Sequence, residues 1–180
     1  FLDKNVTLNY VISPTPLGVV SNTGNVSKIV RIIVFNEGPV TAKECIAKVR
    51  IFRNNRWEGF GSAMLHWIRH RELIHGTRID ELYRPVDIAV NDSEIADLIF
   101  IVKTETGKEF SAIRTDLGID LEFGEPRIIV NKDDILKVSV YCDNATLDFP
   151  CIHVKKVPTF DAISSSNVKE FFEETECPKL

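Results

Sequence analysis

The run Lys28-Ile29-Val30-Arg31-Ile32-Ile33-Val34-Phe35, the turn Asn36-Glu37-Gly38-Pro39 and the answering run Ile46-Ala47-Lys48-Val49-Arg50-Ile51-Phe52 decide the fold class. The first run is β-branched and too short for a helix of its own. In the turn, Gly38 is free to take positive φ and Pro39 presets its own φ. The second run alternates apolar with cationic residues at period two, as a half-buried strand does. Two strands about a short turn make a hairpin or its inter-sheet equivalent.

The same grammar extends in both directions. Residues 6–12 alternate and stop at Ser13-Pro14-Thr15-Pro16. Downstream, Leu98-Ile99-Phe100-Ile101-Val102 lies between Asn91-Asp92-Ser93 and Thr104-Glu105-Thr106-Gly107. Ile135-Leu136-Lys137-Val138-Ser139-Val140-Tyr141 alternates, Cys142-Asp143-Asn144-Ala145 turns the chain, and residues 151–157 alternate again. No strand is regularly followed by a helical stretch, which argues against a parallel α/β sheet. The reading is an all-β chain, an antiparallel immunoglobulin-like β-sandwich over residues 1–160. Residues 55–84 form an inserted loop and helical excursion, with a helical turn at 78–83. Residues 161–180 form a helical tail in which Val168, Phe171, Phe172 and Thr175 share a face.

With 180 residues, 44% of them hydrophobic and 27% charged, the chain is able to bury a sizeable core. Its net charge of −4 and pI near 5.6 argue against nucleic acid as the partner. No apolar run approaches the roughly 18 residues of a membrane helix. A chain starting at Phe1 reads as trimmed, with a signal or anchor upstream. The four cysteines include no C-x-x-C pair, which removes the usual zinc-ribbon and thioredoxin readings. Cys142 and Cys151 flank a hairpin-like turn and are a candidate disulfide, with buried free thiols as the competing reading. Asn5, Asn25, Asn91 and Asn144 each open an Asn-x-Ser/Thr sequon, and this excess of candidate glycosylation sites favours an extracytoplasmic setting.

His66 and His70 are four residues apart, so on a helix they would share a face, and His75 is near. Those three are the candidate metal ligands. Trp67 stands where a zincin motif needs glutamate, so a solvated loop beside arginines competes with that reading. Nucleophile elbows and phosphate-binding glycine loops are absent from the sequence, so no catalytic residue and no cofactor is expected. Trp57, Trp67, Arg69, Arg71 and Tyr83 are the residue types that supply interface energy, which makes them a candidate partner surface. The tryptophans compete for a second role as core plugs closing one end of a sandwich.

The segment Val34-Phe35-Asn36-Glu37-Gly38-Pro39-Val40-Thr41-Ala42-Lys43 resembles the V-x-N-x-G-x-x-x-A hairpin of CARDB-type and related bacterial and archaeal immunoglobulin-like domains. Pro85-Val86-Asp87-Ile88, Asp97-Leu98-Ile99-Phe100 and Val138-Ser139-Val140-Tyr141-Cys142-Asp143-Asn144-Ala145 look like later strands of such domains. The resemblance covers most of residues 27–157 and implies a cell-surface or membrane-tethered module. The expectation is a non-catalytic binding or structural domain that meets a protein or glycan. Its rivals are a metal-ion-binding sandwich using His66, His70 and His75, and a hydrolase with dispersed residues.

Overall fold

The strand run that opens the sequence reading lies at the centre of two antiparallel sheets in the computed structural model, which describes residues 6–14, 19–20, 24–58, 63–68, 83–113 and 128–179. The smaller sheet contains β1 (Leu8–Pro14), β2 (Val19–Val20), β3 (Val26–Asn36), β8 (Ser93–Lys103) and β9 (Glu109–Ala112), with β1 and β2 on one side of β3 and β8 on the other. The larger sheet is built on β4 (Ala42–Arg53) and β10 (Ile135–Cys142). β5 (Arg56–Trp57), β6 (Ala63–Met64) and β7 (Val86–Ile88) pair with β4. β11 (Ala145–Asp148) and β12 (Cys151–Val154) pair with β10, and β13 (Phe172–Thr175) forms the edge beyond β12.

Period-two alternation explains how the sheets meet. On β4 the residues Cys45, Ala47, Val49 and Ile51 are buried, and β10 sets Cys142, Val140, Val138 and Leu136 against that face. Val30, Ile32 and Val34 of β3 with Ala96 and Leu98 of β8 complete one hydrophobic core. Each fully buried Val, Leu or Ile contributes roughly 1.5–3 kcal/mol. β8 alternates poorly because it is buried on both sides, with Phe100 and Val102 joining Ile29 in a second small cluster. A bulge between Val30 and Arg31 shifts the β3–β8 register.

Residues 63–68 cross from one sheet to the other. β6 pairs with Lys48 and Val49, and the Leu65 N–H donates to the Ala47 carbonyl. Two residues on, Trp67 bridges to Ala96 of β8, and its indole N–H donates to the Cys45 carbonyl at 3.0 Å. The tryptophan therefore ties the two sheets together at this corner.

Three expectations need correction. The Cys142–Cys151 bridge is replaced by Cys45–Cys142 and Cys151–Cys177. β12 pairs with Ile135 and Leu136 at the start of β10, so Cys151 sits about 17 Å along that strand from Cys142, beyond the reach of a disulfide. Cys142 instead falls opposite Cys45 in the β4–β10 register. The tail is helical only over α1 (Val168–Phe171) and then becomes β13. Phe171 and Phe172 both reach the core, and pairing with β12 satisfies backbone groups that a continued helix would have kept to itself. The excursion expected from residue 55 begins as sheet, because Asn54 and Asn55 take φ of 53° and 59°. Positive φ at both tip residues suits a tight hairpin and folds β5 back on β4.

Candidate functional site

The outward residues of the larger sheet gather on one face, half-buried except for the exposed Tyr141 and the buried Ser139. Lys48, Arg50 and Phe52 alternate with the buried residues of β4, and Lys137, Ser139 and Tyr141 are their neighbours on β10. The hairpin at Asn54-Asn55 brings Trp57 opposite Phe52, with ring centroids 5.3 Å apart in an edge-on arrangement. The Arg50 guanidinium lies 4.7 Å from the Trp57 ring centroid, and the Lys48 ammonium lies 5.8 Å from that of Tyr141. These are cation–π distances. Tyr141 is 43% exposed, and Arg50 and Lys137 stand directly opposite each other. Like charges across a strand pair are destabilising, so the arrangement costs stability. Lys137 is partly compensated by the Phe149 carbonyl at 2.8 Å and by Asp148 at 3.7 Å. Neither Lys48 nor Arg50 has a carboxylate in ion-pair range among the described residues.

Two anchors border this face. Arg53 grips Asp134 through Nε at 2.7 Å and Nη2 at 2.6 Å, and Asp134 also accepts the Asn131 N–H. The Arg53–Asp134 hydrogen bond is the main cause raising the arginine pKa above its usual value. At the far edge His153 lies between Glu173, 2.9 Å from Nδ1, and Asp133, 3.2 Å from Nε2. Its pKa is raised, first by the Glu173 hydrogen bond, and that of Glu173 is lowered by the same contact. A cleft of about 600 Å³ opens nearby between β1 and β13, with Val11, Ile12, Ile152, Val168 and Phe172 on its walls.

Among the described residues that the sequence singled out, Trp57 alone lies on this face. Trp67 and Tyr83 are buried, which corrects their place in a partner surface: the crossing segment turns Trp67 inward, and the Tyr83 ring packs edge-on against His66 of that segment, with centroids 6.1 Å apart. Arg69, Arg71, His70 and His75 lie outside the described residues, as does Asn5. His66 is buried, its Nδ1 3.3 Å from Asp97, whose other oxygen accepts Arg31 Nε at 2.9 Å. The bulge in β3–β8 sets Arg31 beside Asp97, and this buried cluster pins the crossing segment to β8. Asn25 is half-buried, Asn91 is exposed, and Asn144 is held by two hydrogen bonds. Sequence reasoning missed Lys48, Arg50, Phe52 and Tyr141, although the alternation that marked the strands also assigned these residues to its outer face. Comparison with protein families, curated proteins and solved structures found no match to this chain.

Proposed function

We propose that the chain is an immunoglobulin-like β-sandwich of CARDB-like type that works as a non-catalytic binding module, and that the outer face of the larger sheet docks an acidic patch on a partner protein. The observation that carries this reading is the stacking of Arg50 on Trp57 and Lys48 on Tyr141, unneutralised among the described residues, in a chain of net charge −4. The aromatic rings hold the cations in place, so a partner carboxylate gains charge pairing at reduced entropic cost. Ile46, Met64, Phe52 and Ile135 are half-buried beside them. Aromatic, methionine and arginine side chains over an apolar centre are the mixture enriched in protein interfaces. The two disulfides support an oxidising, extracytoplasmic setting.

Fluorescent poly-L-glutamate, polygalacturonate and neutral dextran serve as probes of the face. Poly-L-glutamate is expected to bind in a salt-sensitive way, and Lys48→Glu/Arg50→Glu to weaken it at least tenfold, or about 1.4 kcal/mol. Equal binding of polygalacturonate would replace the protein partner with an acidic glycan. Failure of both anionic probes to bind, or binding that the double variant leaves intact, would refute the docking face.

A further inference from the structure

We infer that Asn91 carries an N-linked glycan and that Asn25 and Asn144 do not. The inference does not depend on the docking face. Asn91 sits at the turn between β7 and β8 with φ of 57°, exposed. Its backbone is fixed, since its N–H donates to the Asn36 carbonyl at 2.9 Å and the Asp92 N–H to the Ala89 carbonyl at 3.1 Å. Its carboxamide has no hydrogen bond among the described residues. The sequon hydroxyl belongs to Ser93, the first residue of β8, whose N–H rests on Asp92 Oδ1. The acceptor nitrogen is thus exposed on a surface turn, where a bulky polar sugar is tolerated.

The sequon at Asn144 offers the opposite geometry. Its Oδ1 accepts the Lys43 N–H at 2.9 Å and its Nδ2 donates to the Thr41 carbonyl at 2.9 Å. Both ends of the amide tie the β10–β11 turn to the chain entering β4. A sugar on Nδ2 would have to occupy the space beside Thr41 through which the turn is closed. Asn25 is half-buried, and its sequon serine, Ser27, is paired on both sides, with Val19 and Val102. Disulfides and N-glycans are both features of extracytoplasmic chains, so the bridges at Cys45–Cys142 and Cys151–Cys177 fit the same route. The acceptor also lies clear of the docking face. Ala42 pairs with Ile88, three residues before Asn91, whereas Arg50 lies about 27 Å farther along β4.

The donor is a lipid-pyrophosphate-linked oligosaccharide. Asn91 Nδ2 attacks its anomeric carbon, the C–N bond forms as the anomeric C–O bond breaks, the amide proton passes to a base of the transferase, and lipid pyrophosphate leaves. Glycopeptide mapping of the protein isolated from the cells that make it tests the assignment. The peptide bearing Asn91 is expected to carry an oligosaccharide mass, and the peptides bearing Asn25 and Asn144 their bare masses. Ser93→Ala keeps the left-handed asparagine but removes the sequon hydroxyl, and is expected to abolish the added mass. Thr146→Ala should leave it unchanged. A bare Asn91 peptide, or sugar found on Asn144 or Asn25, would overturn the inference.

Discussion

Trp57 and Trp67 both follow β4, yet they serve its two opposite faces. Trp67 is 1% exposed, its N–H is satisfied by Cys45, and its backbone reaches the other sheet. Trp57 lies on the outer face under Arg50, and its N–H has no partner among the described residues. The same residue type thus seals the core at one position and presents a cation at the other. The difference is set by which sheet face the chain returns to, rather than by the identity of the side chain. It separates what holds the molecule together from what is available to a partner.

The largest effect expected on the inner side comes from its covalent bond. Cys45→Ala/Cys142→Ala, which opens a bridge of sequence separation 97, should cost roughly 4.7 kcal/mol in denaturant unfolding. Cys151→Ala/Cys177→Ala, at separation 26 on the sheet edge, should cost about 3.5 kcal/mol. Equal losses, or the reverse order, would break the assignment of the greater stability to the inner bridge. Next in size, Trp67→Ala should lose about 3–5 kcal/mol, while Trp57→Ala should stay within about 1 kcal/mol and weaken poly-L-glutamate binding. If both variants unfold alike, the two faces do not divide their labour as described.

The smallest effect concerns pH at the outer edge. The folded pKa of His153 is raised, so its bonds to Glu173 and Asp133 contribute fully below the ordinary histidine value near 6.5. The contribution fades as pH rises through the raised folded value. The lowered pKa of Glu173 adds stability above the ordinary carboxylate range, which is lost as pH falls through the folded value. Thermal melts at pH 6 and pH 9 should therefore show a decline that His153→Gln reduces. A decline of the same size in the variant would place the sensitive group elsewhere.

The sheet strands were legible where one face is buried and the other wet. Residues 46–52 and 135–141 announced themselves by alternation, and the outer row of Lys48 and Arg50 could be read from the same pattern. The hairpin that returns Trp57 was marked by Asn54-Asn55, a pair tolerant of positive φ. Other features had no local signal. The cysteine pairing depends on the β4–β10 register, which no spacing along the chain encodes. Val168, Phe171, Phe172 and Thr175 recur with helical spacing, yet Phe172 and Thr175 belong to β13, where pairing with Val154 and Cys151 overrides local preference. Trp67 could not be separated from Trp57 because the chain between them carries no period-two order.

The two bridges also decide how the domain would respond to tension. A pull on the flanking chain would pass from Cys45 straight to Cys142, then through the β11 hairpin, then from Cys151 to Cys177. About 340 Å of contour length between the first pair and about 90 Å between the second would be sheltered from load, at roughly 3.5 Å per residue over separations of 97 and 26. Only the strands ahead of Cys45 and the short link at residues 143–150 would pay out. Under shear, both central strands of the larger sheet would remain joined at the Cys45–Cys142 end while slack came from elsewhere.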